Sequence, residues 1–318
     1  MIAEFGTFEY LLADHYRFER ELGRGAMGTV YQARDLRLER PVAIKMLHRV
    51  LTTELGAARF QSEVRIAAAL HHPSIVGVHE YDEVDGRLFY VMDYLEGESL
   101  RSRLTREKRL PETDALEITT QVADALQHAH DHGVVHRDIK PENIVLSRGR
   151  AWVVDFGLAL AVSRIDAKRL TASGISVGTP QYLSPEQAAA EKAIGPAADQ
   201  YALACVLFEM LAGEPPFVGP TATAVAMRHV LEVPPLVGTR SSATPIHIES
   251  AIARALAKTP AERHGDIRAF AAALGAAQAT SPVAPFGTAT RRALSSRALR
   301  LALFLVALAA AIAIVGGR

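Results

Sequence analysis

The chain is 318 residues long, enough for one large two-lobed domain or two ordinary ones with a sizeable core. Its 35 Lys and Arg cancel its 35 Asp and Glu, so no global field points to nucleic acid. The only cysteine, Cys205, excludes an internal disulfide framework and reads as a buried inert thiol in the apolar run YALACVLFEML, suited to a reducing cytosol.

The first fifteen residues read as an extension. MIAEFGTFEYLLAD lacks the basic start, long apolar core and small-residue cleavage site of a signal peptide. From Tyr16, short β-branched and aromatic runs alternate with turns: RFERELGRG, GTVYQARD, PVAIKML and IVGVHEYDEVDGRLFYVMDYL. The last predicts a hairpin turning at Asp85-Gly86. One helix interrupts the strands from about Glu54 to Leu70, with Leu55, Phe60, Val64 and Ala67 or Ala68 near helical spacing. After Glu96-Gly97-Glu98 helical periods dominate, at Thr113–His132, Asp199–Ala212, Ala222–Leu231, Ile246–Ala257 and Ile267–Leu274. Connections carrying Pro and Gly (GEPPF, VPPL, KTPAER) join them. Periodicity thus predicts an α+β chain: a strand-rich small lobe with one helix over residues 16–95, and a larger, mostly helical lobe over 96–275.

Residues 276–290 (AAQATSPVAPFGTAT) are small, polar and Pro-containing, and residues 276–297 are read as a linker. From Ala298 to Gly317 only Arg300 interrupts ALRLALFLVALAAAIAIVGG. Twenty helical residues cover about 30 Å, the hydrocarbon thickness of a bilayer. The run is apolar on every face and is expected to be a transmembrane helix over 298–317, with a buried core helix or an interfacial anchor as the competing readings. Arg291, Arg292, Arg297 and Arg300 lie on its N-terminal side, which places the globular part in the cytoplasm as a single-pass protein of the cell membrane. Since only Arg318 follows, no folded part is expected beyond the membrane.

Five strings carry chemistry. GRGAMGTV brings Gly23, Gly25 and Gly28 into a GxGxxGxV pattern, whose backbone can approach phosphate oxygens closely and donate N–H groups. A dinucleotide site would continue as a helix. Here Thr29-Val30-Tyr31-Gln32-Ala33 continues as a β-type run, which predicts a flap between two strands. Lys45 follows in VAIK, and Glu63 in FQSEV on the single small-lobe helix is its natural anionic partner. Residues His136–Asn143 read HRDIKPEN, and Asp155–Gly157 read DFG. Together they offer oxygen ligands for Mg²⁺ and a further carboxylate for a hydroxyl, the parts needed to move a phosphoryl group.

These strings resemble the catalytic and metal-binding loops of protein kinases. Over residues 16–275 the chain is similar to bacterial Hanks-type serine/threonine kinases of the membrane-bound, receptor-like group. A bias to Ala, and to Arg over Lys, fits a GC-rich bacterial genome. The resemblance implies the two-lobed protein-kinase fold and transfer of the ATP γ-phosphoryl group to Ser or Thr hydroxyls of proteins, with Mg²⁺ or Mn²⁺. It implies that Asp138 accepts or orients the hydroxyl proton, that Lys140 neutralises the transferring phosphate, and that Lys45, fixed by Glu63, contacts the α- and β-phosphates. Asn143 and Asp155 would hold metal. Val30 and Val145 would cover the two faces of adenine with Ala43 beside them, and Leu22, Gly23, Gly25, Gly28, Met92 and Asp93 would complete the ATP site.

Structural roles follow by the same resemblance. Arg137 would pair with a phosphate on the activation segment 155–186, where Thr171 and Ser173 resemble the autophosphorylated pair, with Ser176 nearby. Thr179 of GTPQYLSPEQ would bridge Asp138 and Lys140, and Pro180–Leu183 would shape the pocket beyond the target residue. Glu186 would pair with Arg263 of PAERHGD, Asp199 would brace the catalytic loop, and His136 and Phe156 would pack. Ala204 stands where the family often has Gly, a change that favours a helix. Pairing of small lobes into a homodimer is also implied. The competing functions are a membrane-tethered nucleotide-binding pseudokinase scaffold and a small-metabolite kinase. Retention of Lys45, Asp138, Asn143 and Asp155 speaks against the first, and the docking segment Thr179–Glu186 against the second.

Overall fold

The computed structural model describes residues 9–25, 27–49, 52, 64–156, 179–239 and 244–275. Alternating apolar runs near the N-terminus form five antiparallel strands: β1 (Tyr16–Arg24), β2 (Gly28–Asp35), β3 (Arg40–Leu47), β4 (Val78–Val84) and β5 (Arg87–Asp93). Their order in the sheet is β1-β2-β3-β5-β4. The turn expected at Asp85-Gly86 joins β4 to β5, with φ of +50° and +66°, the left-handed pair that lets a two-residue loop match strand twist.

Both faces of β3 and β5 are covered, which is why each reads as a nearly continuous apolar run. Val42, Ile44, Met46, Phe89 and Val91 join one core with Tyr16, Phe18 and Tyr31. Ala43, Leu47, Leu88, Tyr90 and Met92 project to the other face, against Val64 and Val76. The period of two therefore sends Lys45 and Tyr90 to the second face as well, and that face meets the rest of the chain. Of the helix expected over 54–70, residues 64–68 are described and helical.

A second sheet of three short strands, β6 (Gly97–Ser99), β7 (Ile144–Ser147) and β8 (Arg150–Val153), precedes and frames the helical part. The helices are α1 (Leu100–Glu107), α2 (Glu112–Asp131), α3 (Pro185–Ala188), α4 (Ala197–Ala212), α5 (Ala222–Leu231), α6 (Ile246–Ala255) and α7 (Ile267–Gly275). The five helices expected from periodicity are α2 and α4 to α7, with ends displaced by at most two residues. Every residue of α4 from Ala198 to Leu211 is buried, and it stops where Gly213 adopts φ +87° and returns its N–H to the Glu209 carbonyl. Cys205 lies inside this helix, where burial pushes its thiol pKa far up. The sheet and the helices give the two-lobed, α+β architecture expected. Among the described residues no helix is long and apolar enough to cross a membrane. The run 298–317 lies outside the described residues, as do Glu63, Thr171, Ser173 and Ser176.

Candidate active site

A cavity of about 390 Å³ opens between the strands of the first sheet and the β6–β8 sheet. Leu22, Gly23, Val30, Ala43, Met92, Asp93 and Val145 all line it, and Asp155 closes one end. Gly25, Gly28 and Lys45, expected at the same site, are not among its walls. The glycines do two different things. A Cβ on Gly23 or Gly25 would meet nothing within 4 Å, so packing does not require glycine at either position. A Cβ on Gly28 would sit 2.0 Å from the Met46 carbonyl oxygen, so this glycine is required by the close approach of β2 and β3. The strand β2 begins at Gly28, as a flap between strands requires.

On the helical side the loop 134–143 is fixed from below. Asp199, fully buried on α4, accepts the backbone N–H of His136 (2.8 Å) and the His130 ring (2.7 Å) on Oδ2, and the backbone N–H of Arg137 (2.7 Å) on Oδ1. Burial alone would raise the Asp199 pKa, but the His130 hydrogen bond and the neighbouring positive dipoles hold it below the ordinary carboxylate value. These bonds keep Arg137 at φ +66°, a left-handed conformation that a non-glycine residue adopts at a cost of about 1–3 kcal/mol. The Arg137 guanidinium donates to the Ile194 carbonyl (3.1 Å), and Gln187 donates to the Arg137 carbonyl (2.7 Å).

His136 is a packed residue. Its Nδ1 accepts the Asp138 N–H (3.2 Å), so its Nε2 carries the proton given to the Val154 carbonyl (2.9 Å), and its ring meets Phe156 edge-on at 4.6 Å. The next carboxylate, Asp138, is partly open to solvent. Its Oδ2 accepts Lys140 Nζ at 2.7 Å and Asn143 Nδ2 at 3.0 Å, and Asn143 Nδ2 also reaches the Asp138 carbonyl at 2.8 Å. With its amide nitrogen spent on Asp138, Asn143 has its Oδ1 left as a hard ligand. Val154 N–H bonds to the Asn143 carbonyl (3.0 Å), which ties this loop to the strand leading into Asp155.

Asp155, also left-handed at φ +68°, is held from the opposite lobe. Lys45 Nζ reaches its Oδ2 at 2.5 Å, and the Tyr90 hydroxyl donates to its Oδ1 at 2.6 Å. Burial works to raise the Asp155 pKa, yet the Lys45 charge wins and holds it below the usual range. The same burial, with Asp155 beside it, pushes Tyr90 well above the ordinary phenol value. The described partner of Lys45 is thus Asp155, while the Glu63 pairing falls outside the described residues. Sequence reasoning missed Tyr90. The available signal was strand period: Tyr90 stands opposite Lys45 in the β3–β5 register.

Further out, the structure brings Glu186 and Arg263 together as a buried bidentate pair, at 2.8 and 2.7 Å. Arg263 also donates to the carbonyls of Ala197 and Ala257. Thr179 precedes the turn Pro180–Tyr182, and among the described residues no hydrogen bond joins its side chain to Asp138 or Lys140. Asp138 Oδ2 is instead occupied by Lys140 and Asn143. Tyr182 in that turn is buried and gives its hydroxyl to Glu209, which Arg101 also engages. A larger depression, about 730 Å³, lies against α1, α2 and the β7–β8 turn, but its Glu98–Arg106 and Arg103–Glu107 charges already pair with one another.

Among the described residues no cluster of three or more His, Cys, Asp or Glu could hold a metal by itself. That suits Mg²⁺, which is usually held by one or two protein oxygens together with substrate phosphates. The donor set fits: one amide oxygen and one carboxylate, both hard, beside a cation at Lys45. The apolar walls of the cavity fit a planar base.

The protein kinase domain family matches residues 16–270. The chain is 40% identical over 259 residues to the serine/threonine-protein kinase PknB of Mycobacterium leprae, a match covering 80% of this chain and 41% of that protein. It is 39% identical over 283 residues to the serine/threonine-protein kinase pkn3 of Myxococcus xanthus, covering 85% and 52%. Among solved structures, a point mutant of the PknI kinase domain of Mycobacterium tuberculosis aligns with a TM-score of 0.66 and 33% identity, over 82% of this chain and 94% of that one. The chain spans roughly two fifths to one half of the length of these curated relatives. Matched over most of its length by the family and by a solved relative, the chain belongs to the protein kinase domain family, in its bacterial Hanks-type branch.

Proposed function

We propose that this chain is a serine/threonine protein kinase, transferring the γ-phosphoryl group of ATP to Ser or Thr hydroxyls of proteins. The observation that carries the reading is the cluster of Asp138, Lys140 and Asn143, tied through the Asn143 carbonyl to Val154 beside Asp155, which lines the cavity and pairs with Lys45. The relatives' names supply the residue class of the acceptor.

In this reading the walls formed by Val30, Ala43 and Val145 take the adenine, and the backbone of Met92 and Asp93 borders its edge. Lys45 moves from Asp155 to phosphate oxygens as these enter. Asn143 and Asp155 hold Mg²⁺, which when bound supplies charge neutralisation on the phosphates. Asp138 Oδ2 orients the acceptor hydroxyl and takes up its proton, while Lys140, 2.7 Å away, offsets the charge on the transferring group. Chemistry then rests on positioning and electrostatics. The test is Asp138→Asn. It removes transfer from labelled ATP while leaving ATP affinity near wild type; affinity falling as far as turnover would remove Asp138 from this role.

Regulation and address extend the proposal on sequence grounds. Thr171 and Ser173 are read as autophosphorylation sites whose phosphate Arg137 would pair with, and pairing of two chains would allow transfer in trans. The apolar run 298–317, with Arg291, Arg292, Arg297 and Arg300 before it, is read as a membrane anchor with the kinase domain in the cytoplasm.

A further inference from the structure

The Tyr90 hydroxyl donates to Asp155 at 2.6 Å, and nothing in the phosphoryl-transfer scheme above uses it. Tyr90 and Lys45 face each other across β3 and β5, on the same face of the sheet. From that single rung two donors reach one carboxylate: Lys45 Nζ to Asp155 Oδ2 at 2.5 Å, and Tyr90 Oη to Asp155 Oδ1 at 2.6 Å. The two donors differ in kind. Lys45 is a cation on a flexible stem, able to leave for a phosphate. Tyr90 is 3% exposed, its ring packed with Leu88, Met92, Val64 and Val76, so its hydroxyl stands at one point in space.

Asp155 needs such a hold. At φ +68° it sits in a conformation that non-glycine residues adopt only when their surroundings impose it. Its flanks are tied by Val153 N–H to the Ser74 carbonyl (2.8 Å) and Val154 N–H to the Asn143 carbonyl (3.0 Å), which fix the backbone but leave the carboxylate free to rotate. Once Lys45 transfers to phosphate, Tyr90 is the described donor that remains on the carboxylate.

We infer that Tyr90 is a positioning residue for the metal ligand Asp155: its hydroxyl holds Oδ1 so that Oδ2 is presented to the cation. The inference rests on the reading of Asp155 as a metal ligand. Outer-shell donors of this kind orient a ligand before the ion arrives, and their loss typically weakens metal affinity by about 10–100-fold. Removing one oxygen atom in Tyr90→Phe keeps the ring and its packing, so the effect on the metal separates from any effect on the fold.

The experiment titrates Mn²⁺ by electron paramagnetic resonance against full-length wild type, Tyr90→Phe, Asp155→Asn and the double variant, each saturated with ADP. Metal-free ADP affinity and the thermal unfolding midpoint are measured in parallel. Tyr90→Phe is expected to weaken Mn²⁺ binding about 10-fold or more with metal-free ADP affinity unchanged. In the Asp155→Asn background the same substitution is expected to change Mn²⁺ binding no further. Unchanged or tighter Mn²⁺ binding in Tyr90→Phe overturns the inference, as does an equal effect in both backgrounds. If Asp155→Asn itself leaves Mn²⁺ affinity intact, the failure lies in the metal-ligand reading. A lowered midpoint with unaltered Mn²⁺ affinity assigns Tyr90 a packing role only.

Discussion

Asp199 shows how a single buried carboxylate sets the shape of a loop that it does not belong to. Two backbone N–H groups and the His130 ring converge on it, and the strained Arg137 backbone persists because those bonds exist. Its folded pKa lies below the ordinary value, so its contribution to stability is present above about pH 4 and is lost as pH falls through the folded value. Unfolding free energy of the wild type is therefore expected to fall more steeply below about pH 4 than that of Asp199→Asn, measured by urea denaturation across pH. Parallel acid limbs would count against it. Arg263 makes the complementary case. Replacing it by Ala leaves Glu186 buried beside two carbonyls with no counter-charge, and about 3–5 kcal/mol of stability is expected to go. A loss well under 1 kcal/mol would mean the pair is incidental.

At the scale of elements, what was legible in the sequence was what has a local period or a fixed chemical spacing. α4 could be read because nearly every position is apolar, α2, α6 and α7 because their buried residues recur at helical spacing, and α5 because its sequence ATAVAMRHVL is rich in apolar residues. HRDIKPEN and DFG could be read because the chemistry needs those residue types close together in the chain. α1 could not: only Leu100 and Leu104 are buried, and its start is set by the Ser99 hydroxyl accepting the Ser102 N–H, a cap rather than a period. The short strands β6 to β8 carry too few residues for an alternation to register. Tyr90 was hidden for another reason, because its partner Asp155 is far away in sequence and only the sheet register brings Lys45 and Tyr90 to one rung. The glycine flap separates into two kinds of position. Gly28→Ala forces its Cβ onto the Met46 carbonyl and is expected to cost about 1–3 kcal/mol of stability, whereas Gly23→Ala meets open space and is expected to leave the unfolding midpoint near wild type. Equal midpoints for the two variants would show that β2 and β3 can part without penalty.

For the whole molecule the two lobes matter because neither holds a complete site. The first sheet brings Lys45, Tyr90 and part of the cavity wall; the helical lobe brings Asp138, Lys140, Asn143 and Val145; Asp155 follows the end of β8 and is reached by Lys45 and Tyr90. If the run 298–317 anchors this assembly to a bilayer, deleting residues 298–318 moves the protein from the membrane pellet to the supernatant. A full-length chain already found in the supernatant would remove the anchor. The central claim concerns phosphoryl transfer itself. Wild type and Asp138→Asn are incubated with γ-labelled ATP and Mg²⁺, ATP affinity is measured for both, and phosphorylated residues are mapped. The account predicts label on Ser and Thr only, including Thr171 or Ser173, with a loss of about 100-fold or more in Asp138→Asn at similar ATP affinity. Equal labelling by the two proteins, or no labelling by wild type despite bound ATP, would contradict it.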